Sequence, residues 1–296
     1  MKYPNFVALC EVGPRDGFQF ESKFIPTDFK VDAIKKLIGA GLPRVQITSF
    51  VHPGRVPQMA DAEQVVQAVG FDHTSVLSGL ALNVRGVHRA AESGLRAVDL
   101  SIATNERHGN DNANMAVDEG RDQADEMIAL AQSNGMSVQL NLQTVWGYQT
   151  PGDTPLDAVL QMAAHFSDSK LESFSLADST GMANPESIRR VLSAVQEVTK
   201  VPLVLHLHDT RGLAIANIVT ALEMGISRFD TSLGGLGGCP FIPGATGNVA
   251  TEDVVNLLEG LGVKTGIENS RVAAISCEMA AFLGRPLSGK MYKLLG

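Results

Sequence analysis

The sequence is short of cysteine, of basic charge and of long apolar runs, and each shortage removes a class of protein. Cys10, Cys239 and Cys277 are the three cysteines in 296 residues, odd in number and far apart. They form no disulfide framework and point to a reducing cytosol, so a cytoplasmic location is expected. Lys plus Arg is 24 against 32 Asp plus Glu, a formal net charge of −8. Nucleic-acid binders use clustered positive charge to displace counterions from phosphates, so no nucleic-acid partner is expected. No apolar run reaches the roughly 18 residues of a membrane-spanning helix, so no membrane partner is expected either. The opening MKYPNFVALCEVG has one Lys and a short apolar stretch that runs into Glu11, unlike a secretory leader.

What is present is ordinary for a globular chain: 44% hydrophobic and 19% charged residues, enough to bury a large core. No low-complexity segment or Pro/Gly/Ser linker divides it. Short β-branched or apolar runs recur at 6–12, 44–50, 75–82, 97–103, 136–142, 173–178, 202–207 and 228–233. Helical patterns lie between them, at 28–40, 118–134, 155–168, 185–199 and 212–225. Thr27 is the expected N-cap of the 28–40 helix, whose Phe29, Ala33, Leu37 and Ile38 lie near one face. Gly41, Gly94, Gly135 and Gly225 stand where helix C-caps are expected. Eight such units in about 260 residues predict one α/β domain over 1–296, a (β/α)8 TIM barrel. The barrel is expected over about 6–263, with a short helical extension at 264–296. A doubly wound sheet is the main rival, and even spacing favours closure.

Barrel active sites lie in the loops after the strands, which directs the search there. The seventh strand ends in His206-Leu207-His208-Asp209. Residues two apart in a strand face one side, so both imidazoles can address one divalent metal, or serve as hydrogen-bonding core histidines. The first strand ends in Glu11-Val12-Gly13-Pro14-Arg15-Asp16-Gly17. Asp16 is a candidate third ligand, and Arg15 a candidate for an oxyanion or carboxylate; an Arg–Asp ion pair within a turn is the alternative. The eighth strand leads into Gly234-Gly235-Leu236-Gly237-Gly238-Cys239-Pro240 and then Pro243-Gly244-Ala245-Thr246-Gly247-Asn248. Glycines let backbone approach a ligand, Cys239 can exchange a proton, and the Asn248 carbonyl can complete a metal shell. Thr251 is the natural N-cap of the next helix, and the acidic pair Glu252-Asp253 complements its dipole. Asp178 after the sixth strand can orient a metal-bound water or a ligand histidine, or cap a turn. His52, His73, His88, His108 and His165 stand singly and read as surface or core residues.

The segments EVGPRDGFQ, ITSFVHPGRVPQMAD, HLHDTRGLAIAN and GGLGGCPFIPGATGNVATEDVV closely resemble the 3-hydroxy-3-methylglutaryl-CoA lyase family, within the metal-dependent acyl-CoA lyase and synthase barrels. The resemblance runs from about residue 6 to 265. It implies the same barrel, a Mg²⁺ or Mn²⁺ cofactor and an acyl-CoA substrate cleaved to acetyl-CoA and a keto acid. It implies Asp16, His206, His208 and Asn248 as metal ligands, Arg15 as the stabiliser of the enolate, and Cys239 as a proton-transfer residue. Asp178 and Glu252 match positions lining the site. Two departures bear on substrate choice. Gln46 stands where the family usually has Glu, and the fifth strand carries Gln139, Asn141, Gln143 and Trp146 in place of the family's cysteines, Arg and Tyr. The alternatives left open are a lyase or aldolase acting on another branched hydroxyacyl-CoA or hydroxy-keto acid, a condensing synthase, and a non-catalytic acyl-CoA-binding relative. The size permits a homodimer.

Overall fold

Residues 3–238 and 246–296 are described by the computed structural model. Eight parallel strands form a closed barrel in sequence order. They are β1 (Ala8–Glu11), β2 (Arg44–Ser49), β3 (Val76–Ala81), β4 (Ala97–Ala103), β5 (Ser137–Gln143), β6 (Ser173–Asp178), β7 (Leu203–Leu207) and β8 (Arg228–Thr231). The ring closes where Ala8–Glu11 pair with Arg228–Thr231, residue for residue.

The outer layer is helical: α1 (Thr27–Gly39), α2 (Ala62–Val69), α3 (Val84–Glu92), α4 (Glu106–Ala113), α5 (Val117–Ser133), α6 (Leu156–His165), α7 (Pro185–Val198), α8 (Ala214–Glu223) and α9 (Thr251–Gly260). After the barrel follow α10 (Asn269–Leu283) and the short α11 (Tyr292–Leu295). Among the described residues no helix is long and apolar enough to cross a membrane.

The two faces of each strand have different chemistry. Toward the helices lie Val45, Ile47, Val98, Leu100, Leu140, Phe174, Leu176, Leu205 and Phe229, all fully or nearly fully buried. This is the main hydrophobic layer, and truncating one such residue to Ala costs about 2–5 kcal/mol. The barrel interior is largely polar and internally bonded. Arg44 pairs with Asp99 (2.7 Å), Ser173 with Gln139 (2.9 Å) and Ser175 with Asp230 (3.2 Å).

The elements match the expected alternation, with informative differences. Runs 97–103 and 173–178 coincide with β4 and β6. The eighth strand stops at Thr231, short of 233, because Ser232 leaves the barrel ladder to bridge Ala250, and the chain then turns through Leu233–Gly235 with Gly234 at φ 59°. Neither expected threonine cap forms. Pro26 and Ala250 hold the cap positions, and both threonines are the first helical residues. Tertiary partners claim their hydroxyls: Thr27 donates to Asp61 (2.7 Å) and Thr251 to Glu11 (2.7 Å).

Candidate metal centre

The first loop sets the site. Gly13–Gly17 winds into a single π-helical turn whose five residues are all buried, a rare conformation frequent at functional positions. A Cβ on Gly13 would lie 2.3 Å from Leu233 Cδ2 and 2.6 Å from Glu11 Oε1, so only glycine admits this turn. The turn brings Arg15 and Asp16 to the C-terminal mouth of the barrel, with Arg15 Nη1 2.5 Å from Asp16 Oδ1.

From β7 and the residue after it, His206 and His208 point to the same spot, their Nε2 atoms 3.2 Å apart. Asp230 on β8 lies behind His206, with Oδ2 3.3 Å from Nδ1. A carboxylate on the far nitrogen of a ligand histidine fixes its ring and tautomer, leaving Nε2 to face an ion. Asn248 arrives by a backbone route: it bridges His208 in antiparallel fashion, flanked by bonds from Asp209 N to Gly247 O (2.8 Å) and from Val249 N to Leu207 O (3.1 Å). Its Nδ2 donates to Asp16 Oδ2 (2.7 Å) and to Leu236 O (3.0 Å).

One donor atom each from Asp16, His206 and His208 lies within 4.8 Å of the others, close enough to share an ion. One buried atom fits the same reading: among the described residues Asn248 Oδ1 has no hydrogen-bond partner. A buried amide oxygen without a donor carries a desolvation cost that a cation relieves. Protonation states suit ligation. Burial, then the neighbouring charges of His206 and Arg15, push His208 down to about 3, so its imidazole is neutral at physiological pH. For Asp16 burial acts upward, but Arg15, both imidazoles and Asn248 outweigh it and hold the carboxyl below its ordinary value. Beside these groups opens a cavity of about 400 Å³, whose lining also includes Ser101, His108, Asn141 and Gln143.

The HMGL-like family profile matches residues 6–278, nearly the whole chain. The chain belongs to the HMGL-like family. Hydroxymethylglutaryl-CoA lyase YngG of Bacillus subtilis is 36% identical over 293 residues, 98% of this chain and 97% of that protein. The mitochondrial hydroxymethylglutaryl-CoA lyase of Bos taurus is 37% identical over 290 residues, 98% and 89% of the two chains. Among solved structures, the B. subtilis HMG-CoA lyase superposes with a TM-score of 0.95 at 36% identity, covering 99% of each chain. The Acinetobacter baumannii HMG-CoA lyase in complex with coenzyme A and 3-methylmalate gives 0.93 at 34% identity, covering 99% and 96%.

Of the residues singled out for this HMGL-like chain, the fold gathers Asp16, His206, His208, Asn248 and Arg15. Gln46 lies one bond behind, its Oε1 accepting from Arg15 Nε. Asp178 takes the second of its two expected roles, capping a turn. Its two oxygens accept Met182 N (2.7 Å) and Ala183 N (3.0 Å), so it pins the turn after β6, and burial lifts its carboxyl to about 6 despite those bonds. Glu252 accepts Gly234 N (3.0 Å) and the Ser276 hydroxyl, which anchors the loop after β8 and does not line the cavity. Gln139 is buried beside Ser173, deep in the barrel, and Trp146 is buried away from the cavity lining. Cys239 lies outside the described residues.

Sequence reasoning passed over four residues. Asp230 is the ring partner of His206. It stands in register with His206 across the β7–β8 pair, a proximity that only the strand pairing reveals. Asp99 and Arg44 likewise carry charge into the barrel interior. His108, read as a lone surface or core residue, lines the cavity; burial lowers it to about 4, so it faces the cavity as a neutral ring.

Two expected outcomes arise from this packing. Gly237 has φ 135°, and a Cβ there would lie 2.5 Å from Asn248 Nδ2. Gly237→Ala should shift Asn248 and weaken Mn²⁺ binding by about tenfold, as outer-shell changes do, measured by isothermal titration. The second concerns Glu11, fully buried, which accepts Gly13 N and Leu233 N (both 2.8 Å) and the Thr251 hydroxyl, tying the first loop to the eighth. Burial, opposed by those bonds, raises it from 4.5 to about 8. A raised folded-state value means its contribution to stability is complete below about 4.5 and is lost as pH rises through about 8. Glu11→Gln, neutral throughout, should therefore flatten the decline in melting temperature between pH 5 and pH 8. A decline as steep as the parent's would remove Glu11 as its source.

Proposed function

We propose that the chain is a divalent-metal-dependent carbon–carbon lyase that cleaves 3-hydroxy-3-methylglutaryl-CoA, or a close 3-hydroxyacyl-CoA, to acetyl-CoA and a keto acid. The observation that carries this is a buried guanidinium, Arg15, beside three convergent ligand donors at a barrel mouth. The reading assigns the ion to Asp16, His206, His208 and Asn248. A mixed carboxylate, imidazole and amide set suits Mg²⁺ or Mn²⁺. A divalent cation held there would polarise the substrate's 3-hydroxyl and lower its pKa.

The chain's own groups supply the rest. Asp16 and the histidines orient the hydroxyl end of the substrate. Asp230 keeps the His206 ring in place. A base removes the hydroxyl proton; an imidazole at the metal could do so only through a nitrogen not spent on the ion, and Asp178 is committed to its turn. The electron pair of that O–H bond forms the ketone, and the bond between carbons 2 and 3 breaks. Its pair moves onto the thioester as an enolate, whose oxygen faces the charge of Arg15. In this reading Cys239 delivers the proton that turns the enolate carbon into the methyl group of acetyl-CoA. A cytosolic setting agrees with the free thiols of Cys10 and Cys277.

A related acyl chain is the second reading, and one observation favours it: Ser101, Asn141, Gln143 and neutral His108 add uncharged polar groups to the cavity lining. The test incubates the protein and Mg²⁺ or Mn²⁺ with 3-hydroxy-3-methylglutaryl-CoA and its longer or more polar 3-substituted analogues. Products are identified by mass. Metal-dependent acetyl-CoA with acetoacetate supports the first reading, and acetyl-CoA from an analogue alone supports the second. Binding without cleavage of any ester would overturn both.

A further inference from the structure

Behind Arg15 a line of polar side chains runs down the barrel interior. Gln46, on β2, is 3% exposed; Asp99, on β4, is 2% exposed. Gln46 accepts from Arg15 Nε through Oε1 and donates from Nε2 to Asp99 Oδ2. Asp99 also accepts the Ser78 hydroxyl (2.5 Å) and is ion-paired with Arg44 (2.7 Å). The β2 register against β3 shifts between Gln46 and Thr48, a local irregularity at the strand that carries the relay.

A primary amide can lie in either of two senses, and packing alone barely separates them. Here the two neighbours do. An ionised carboxylate only accepts hydrogen bonds and a guanidinium only donates them. The reversed amide would put its oxygen against Asp99 and its NH₂ against Arg15, breaking both bonds where water cannot replace them. Asp99 therefore dictates that the Gln46 oxygen faces Arg15. That acceptor on Nε, with Asp16 on Nη1, holds the guanidinium by two edges beside the ligand donors.

We propose that Asp99 is a positioning residue for Arg15, acting through Gln46. This rests on the lyase reading above, in which Arg15 serves the enolate. The pair also has a testable polarity. Gln46→Glu places two carboxylates face to face, and Asp99→Asn leaves the amide free to reverse. Combining Gln46→Glu with Asp99→Asn moves the charge one residue toward Arg15 and restores a donor–acceptor match at both contacts.

The experiment measures kcat and KM for 3-hydroxy-3-methylglutaryl-CoA, Mn²⁺ affinity and melting temperature for the parent, both single variants and the double variant. Each single variant should lose about tenfold or more in kcat, with KM and Mn²⁺ affinity little changed, and the double variant should recover most of it, as coupled neighbours do. A double variant no better than the product of the single losses would overturn the proposal, as would a Gln46→Glu enzyme with the parent's kcat. Should Asp99→Asn alone fail to fold, Gln46→Glu against the double variant decides: regained kcat supports the relay and no gain overturns it. If the parent itself releases no acetyl-CoA, the lyase reading fails, and melting judges the pairing by itself. Positive coupling between positions 46 and 99 then supports it, and additive losses overturn it.

Discussion

Arg15→Met is expected to lower kcat by about 10²–10³ while leaving Mn²⁺ binding in place, the loss typical of removing one preorganised oxyanion donor. The guanidinium is almost wholly buried, so its charge acts with little solvent screening. It is also held before substrate arrives, by Asp16 and Gln46, so no reorganisation is needed as the enolate forms. Methionine keeps much of the volume and removes the charge. Steady-state kinetics and Mn²⁺ titration on the same preparation separate the two roles. Turnover at the parent's rate would exclude Arg15 from the reaction, and joint loss of turnover and metal would make it a structural partner of Asp16.

His208→Ala is expected to weaken Mn²⁺ by more than the roughly 10–100-fold that outer-shell changes cost, and to lower kcat in proportion at limiting metal. The imidazole stays neutral because burial and nearby positive charge disfavour its protonation, with the value at about 3. A neutral nitrogen needs no proton displaced before it ligates, so metal affinity should hardly vary down to pH 5 on account of this residue. Mn²⁺ titration followed by electron paramagnetic resonance measures both effects. Parent-like affinity in His208→Ala would remove it from the ligand set.

Much of this was legible in the sequence, for local reasons. The seven-residue β4 reads off its alternation of Val98, Leu100 and Ile102 with Ala97, Asp99, Ser101 and Ala103. His206 and His208 share a face because strand side chains repeat every two residues. The threonine caps were misplaced because local capping competed with buried acceptors far along the chain, Glu11 lying 240 residues from Thr251. The same cause hid Asp230 and Asp99. Their partners sit 24 and 55 residues away, and only barrel closure makes those distances short. Asp178 stayed open between two readings for the opposite reason: a carboxylate at a strand end can serve a ligand or cap a turn, and here the two amides that follow claim it.

Anomalous scattering from a crystal soaked in Mn²⁺ tests the central claim most directly. The account predicts one strong peak within bonding distance of Asp16, His206 Nε2, His208 Nε2 and Asn248 Oδ1, with Arg15 beside it. A peak elsewhere, or none at full Mn²⁺ saturation in solution, would contradict it.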